Sequence, residues 1–98
     1  MAFVYLLRCA DGSLYCGWTV DVPKRVAAHE SGRASRYTAS RRPIALAAAW
    51  EVPTHTEARR LEAQVKGLTR AEKVALVAGA PLIARDEEVA VRFAPPAP

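Results

Sequence analysis

The sequence has 98 residues, of which 51% are apolar and 24% charged, with a formal net charge of +4. That length suits one domain with a single core, and the composition excludes a disordered or collagen-like chain. No apolar run is long enough for a membrane helix and no basic stretch leads into an apolar one at the start, so a cytoplasmic protein without a membrane partner is expected, and the positive charge tilts the partner toward a polyanion.

Residues 3–9 and 14–18 are short runs rich in aromatic and aliphatic side chains, separated by Ala10-Asp11-Gly12, and they predict a β-hairpin. Its two cysteines, Cys9 and Cys16, read as small buried hydrophobes rather than as a disulfide, and with two distant histidines they fall short of a zinc site. Two turn registers fit. A two-residue Asp11-Gly12 turn sets Ala10 opposite Ser13 and puts Tyr5 and Tyr15 on opposite faces. A three-residue loop with Gly12 left-handed sets Cys9 opposite Ser13 and puts both tyrosines on one face, and only this register builds a site.

Downstream, Asp21 offers an N-cap, Pro23 suits a first helical turn, and Gly32 a stop, which predicts a first helix. Residues 33–43 are polar and basic without a period, and read as a loop. Residues 44–52 are an apolar run ended by Pro53, expected as a third strand. Thr54 with Glu57 forms a capping-box pattern ahead of Ala58, Leu61, Val65 and Leu68 at helical spacing. Thr69 with Glu72 repeats it ahead of Val74, Leu76 and Val77, and Gly79-Ala80-Pro81 ends that helix. Residues 1–80 thus form the expected domain and 81–98 a tail, in which Val89-Ala90-Val91-Arg92-Phe93 alternates as a docked strand would, before the terminal "APPAP". There is no internal repeat.

Several polar residues fall where chemistry could use them. Arg25 and His29 lie four apart, hence on one helix face, beside the apolar positions Val22 and Val26. The arginine is a fixed cation that matches phosphate oxygens, and the histidine is suited to moving a proton near neutral pH. Taken singly, they also read as a solvated helix residue and a helix-terminal cation. Glu62 sits at the edge of the second helix's apolar stripe, where a carboxylate could hold a hard cation; it is also well placed for an ordinary surface pair with Lys66. No such alternative accounts for two tyrosines, an arginine, a histidine and a glutamate together on consecutive elements.

That set, in order, resembles the GIY-YIG endonuclease family, especially its small single-domain bacterial members. Phe3-Val4-Tyr5 stands for the "GIY" element and Tyr15-Cys16-Gly17 for "YIG". "VPKRVAAHESG" is similar to the family's arginine helix, "SRYTASRRPIALAAAWEV" to its basic loop and third strand, and "EARRLEAQVKGLTRAEK" to its glutamate helix. The resemblance covers residues 3 to about 78. It implies an α+β fold (α/β in the broad sense), a three-stranded antiparallel sheet flanked by helices in β-β-α-β-α-α order, the order read above. It also implies hydrolysis of DNA phosphodiester bonds with a single Mg²⁺ or Mn²⁺, in DNA repair or recombination, on DNA that could be branched or nicked. The alternative is a nucleic-acid-binding module with a retained but poorly active site.

The resemblance makes Tyr5 a general base or water-orienting hydroxyl, Tyr15 a hydrogen-bond donor around the phosphate, Arg25 the phosphate clamp, His29 the proton-handling partner and Glu62 the metal ligand. Gly17, lacking a side chain, would let a nucleic-acid backbone approach. Arg33, Arg36, Arg41 and Arg42 around Tyr37 suit phosphate contacts plus one stacking platform, against the ordinary reading of a solvated loop. Phe3 replaces the motif's glycine and Cys16 its isoleucine. Some members use an asparagine after the glutamate helix, and this sequence contains none. Oligomeric state is not legible.

Overall fold

The computed structural model describes residues 1–83 and 89–93; residues 84–88 and 94–98, and with them the Pro-rich end of the expected tail, lie outside the described residues. Strands β1 (Ala2–Arg8) and β2 (Leu14–Thr19) form the expected antiparallel hairpin. Its turn takes the three-residue form. The Cys9 N–H donates to the Ser13 carbonyl at 2.9 Å, the Gly12 N–H donates to the Cys9 carbonyl at 2.9 Å, and Gly12 sits at φ +83°. Only glycine adopts that conformation without strain, so Gly12 selects the register. Tyr5 then pairs with Gly17 and Leu7 with Tyr15, which brings both tyrosines to one face of the ribbon.

Helix α1 (Val22–Glu30) begins where the sequence places it. The Asp21 carboxylate accepts from the Lys24 N–H at 3.0 Å, and Gly32, at φ +79°, follows the last turn. The segment 33–43 is a correction: it contains a single helical turn, α2 (Arg36–Ala39), capped by the Ser35 hydroxyl, which accepts from the Tyr37 N–H. A four-residue turn is too short to show an apolar period, so it read as a loop. Strand β3 (Ala45–Val52) pairs with β1 on the side away from β2. Helices α3 (His55–Lys66) and α4 (Arg70–Val77) follow. Both halves of the capping box form at Thr69 and Glu72, whereas at α3 it is the Thr54 hydroxyl that caps, accepting from the Glu57 N–H.

Beyond α4 a short strand, β4 (Val91–Arg92), pairs with Trp50 and Glu51 of β3. Among the described residues the antiparallel sheet therefore has four strands, in the order β2-β1-β3-β4, where three were expected; the α+β class holds. The alternating stretch of the tail is what supplies the extra one. Phe93 continues its hold, donating its N–H to the Ala49 carbonyl and setting its ring edge-on to Phe3 at 4.9 Å.

β1 is covered on both faces, which is why its sequence is apolar almost throughout instead of alternating. On one face Val4, Leu6, Cys16 and Trp50 pack with Ala58, Leu61 and Val65 of α3 and Leu76 of α4. On the other, Phe3, Tyr5, Leu7 and Ala49 pack with Val22 of α1. Cys9 and Cys16 are free, buried and in separate clusters, as the hydrophobe reading expects. No helix among the described residues is long and apolar enough to cross a membrane.

Candidate active site

The face carrying α1 holds a buried polar chain in otherwise apolar surroundings. The Tyr5 hydroxyl lies 2.9 Å from His29 Nε2, and His29 Nδ1 lies 2.7 Å from the hydroxyl of Thr38. Tyr5 is 2% exposed, His29 1% and Thr38 fully buried. Burial pushes the Tyr5 hydroxyl well above the ordinary tyrosine range; neighbouring Tyr15 adds to this, and the Arg25 charge opposes it. Burial, then the Arg25 charge, holds His29 below the ordinary histidine value. Both shifts favour neutral partners near pH 7, so the contact is a neutral hydrogen bond and not an ion pair.

Each residue of this chain comes from a different element. Tyr5 is held by the pleat of β1, and its ring crosses β2 where Gly17 stands opposite it. His29 reaches inward from the last turn of α1, and α2 brings Thr38 under the far side of the imidazole. Thr38 escaped sequence reasoning. The available signal was Ser35 as an N-cap three residues before it, but a buried threonine in a basic stretch carries no pattern of its own.

Tyr15 sets its ring edge-on to His29 at 5.1 Å and stacks on Tyr37 at 5.8 Å. The Arg41 guanidinium lies 3.8 Å over the Tyr37 ring and pairs with Asp11 of the hairpin turn at 3.0 Å. Tyr37 is thus engaged within the chain, which changes the reading of its ring as an open platform for a base. Arg42 donates to the carbonyls of Ala39 and Glu30, the ends of α2 and α1. Of the four basic-loop arginines, these two tie separate elements together. Arg33 donates from Nε to the Ser31 hydroxyl, and Arg33 and Arg36 are both exposed. Arg25 is exposed on the same helix as His29, close enough for its charge to act on both His29 and Tyr5.

Glu62 stands on α3, which packs on the opposite face of the sheet, beneath the edge strand β2. The Cys16 thiol lies 3.9 Å from its backbone carbonyl, and the Glu62 carboxylate is half-buried, 3.6 Å from Lys66 Nζ. Burial, reinforced by that carboxylate, pushes the Cys16 thiol up to about 12, so this cysteine is no nucleophile. The Glu62 charge is also felt at Tyr5, across the strand that Gly17 thins. Among the described residues no three His, Cys, Asp or Glu side chains gather as a closed metal cage. The partly buried Glu62 carboxylate could hold a hard divalent ion, whose remaining oxygens would have to come from water and a bound phosphate.

A family model described as the GIY-YIG catalytic domain matches residues 1–75. The chain is 47% identical over 75 residues to a UPF0213 protein of Halalkalibacterium halodurans, covering 76% of this chain and 80% of the relative. It is 39% identical over 94 residues to a UPF0213 protein of Vibrio cholerae, covering 93% and 88%. Among solved structures, the solution NMR structure of the UPF0213 protein from Bacillus halodurans is similar with a TM-score of 0.52 and 46% identity, covering 80% of this chain and 84% of that one.

Proposed function

The chain belongs to the GIY-YIG family, and from that premise we propose that it is a divalent-metal-dependent endonuclease hydrolysing DNA phosphodiester bonds, with Tyr5, Tyr15, Arg25, His29 and Glu62 as catalytic residues. The observation that carries this reading is the 2.9 Å contact between the Tyr5 hydroxyl and His29 Nε2. A buried phenol is too weak an acid to ionise alone near neutral pH. Coupled to a neutral imidazole it becomes usable. As water attacks phosphorus, its proton passes to the Tyr5 oxygen while the phenolic proton passes to Nε2, so tyrosinate need not accumulate. The P–O bond to the leaving oxygen breaks, and that oxygen takes a proton from solvent.

Arg25 offers two donors to the scissile phosphate, and the Tyr15 hydroxyl a third hydrogen bond to a non-bridging oxygen. Glu62 would hold a single Mg²⁺ or Mn²⁺, which when bound supplies Lewis-acid stabilisation of charge on the phosphate. A second reading, a DNA-binding module with poor turnover, is favoured by the 2% exposure of Tyr5, since a reacting water must still reach its hydroxyl. Incubating branched, nicked and linear DNA with Mg²⁺, Mn²⁺ or chelator separates the two. The nuclease reading expects cleavage that chelator abolishes, and expects Glu62→Gln to lower it on the order of a thousandfold while Lys66→Ala leaves it intact. Retained DNA binding with no cleavage under any of these conditions would establish the binding module instead.

A further inference from the structure

We propose that Thr38 is a positioning residue that fixes the tautomer of His29, placing the ring proton on Nδ1 and aiming the Nε2 lone pair at the Tyr5 hydroxyl. A neutral imidazole carries one N–H and one lone pair, so it needs one acceptor and one donor. Its two partners here are both hydroxyls, either of which could play either part. The symmetry is broken one bond further out. The Thr38 hydroxyl lies 3.3 Å from the backbone carbonyl of Ser35, a group that only accepts, so the threonine proton goes there and its oxygen is left to accept from Nδ1–H.

The far end of the chain agrees. With the proton on Nδ1, the Tyr5 hydroxyl donates to Nε2, Nδ1–H donates to the Thr38 oxygen and the threonine proton to the Ser35 carbonyl, so each proton of the chain has an acceptor. With the proton on Nε2, Tyr5 would accept instead, and its own buried hydrogen would need another acceptor. Ser35 and Thr38 belong to the same helical turn, Ser35 as its cap, so α2 supplies both the bond that orients the histidine and the carbonyl that orients the threonine. The charged and titratable groups facing the imidazole are Tyr5 from β1, Tyr15 from β2 and Arg25 from α1, and a change at Thr38 touches none of them.

The tautomer itself stands independently of the proposed nuclease activity, whereas its use as a proton acceptor rests on that reading. The test is ¹⁵N NMR of histidine-labelled full-length protein at pH 7.5, which distinguishes a protonated ring nitrogen from an unprotonated one. The wild type should show His29 with Nδ1 protonated and Nε2 bare. Thr38→Val, which keeps the shape but removes the acceptor, should shift the ring toward the Nε2–H form, and Thr38→Ser should restore the wild-type pattern. Cleavage by Thr38→Val should fall about 10–100-fold without weaker DNA binding, with Thr38→Ser close to wild type. A wild type with Nε2 protonated would overturn the proposal, as would a folded Thr38→Val whose ring keeps the Nδ1–H pattern. Should the valine variant fail to fold, the wild-type and serine spectra decide alone. An Nδ1–H wild type that cuts no DNA would support the tautomer assignment and count against the nuclease.

Discussion

A Cβ built on Gly17 would lie 2.6 Å from the Tyr5 ring carbon that bears the hydroxyl, and closer still to the oxygen, so the phenol can cross β2 only where no side chain stands. The "YIG" glycine therefore has an intramolecular reason, room for the candidate base, beside the close nucleic-acid approach expected from the sequence. Gly17→Ala should destabilise the fold by about 1–3 kcal/mol in urea denaturation, because Tyr5 must shift. Any cleavage activity should fall further than that stability loss explains. His29 makes a second prediction, in pH. Its folded value lies below the ordinary 6.5, so the unfolded chain takes up the proton first as pH falls; stability present above 6.5 is lost progressively below it. Tyr5, raised above 10.0, contributes stability that is held below pH 10 and lost above it. Denaturation midpoints should drop on the acid side for the wild type and drop less for His29→Gln. Tyr5, Arg25 and His29 were legible as a set because motif order and helix spacing put them together. Thr38 was not, since what distinguishes it is a contact made only after α1 and the basic stretch have folded against each other.

At the scale of the element, α2 and the hairpin turn are joined. Asp11 accepts from Ser13 within its own turn and pairs with Arg41, and Arg41 covers the Tyr37 ring that stacks on Tyr15. Adjacent residues of α2, Tyr37 and Thr38, thereby contact two different candidate catalytic side chains, one on the outside and one within. The sequence offered both hairpin registers and left the choice to Gly12; it showed a basic stretch without showing that part of its charge is committed. That division is testable through salt. If Arg33 and Arg36 meet phosphates, each changed to Gln should lower the slope of log affinity against log salt by roughly one unit, equally across DNA sequences. Arg42→Gln should leave the slope nearly unchanged and lower the thermal midpoint, because its donors hold the carbonyl ends of α1 and α2. An unchanged slope for Arg33→Gln and Arg36→Gln would return the stretch to an ordinary solvated surface.

At the scale of the whole molecule, the sheet separates two layers that each carry candidate site residues. α1 and α2 bring Arg25, His29 and Thr38 to one face, and α3 carries Glu62 on the other, near enough for its charge to act on Tyr5. The chain order of the elements was readable from apolar runs and caps, and the alternating tail suggested a docked strand, of which only Val91 and Arg92 form β4. Its anchoring is mostly tertiary: Arg92 donates to the carbonyls of Leu76 and Val77 at the end of α4, contacts that local sequence does not encode. This arrangement makes the proposed proton path through Tyr5 separable from the proposed metal contribution through Glu62, and the first is the more direct test. The decisive measurement is the single-turnover cleavage rate of Tyr5→Phe against wild type in Mg²⁺, with DNA affinity and thermal midpoint recorded on the same samples. A loss of about 10²–10⁴-fold in rate, with affinity little changed and the fold retained, is the expected result. Wild-type cleavage by Tyr5→Phe would contradict the assignment of Tyr5 and His29 as the proton path.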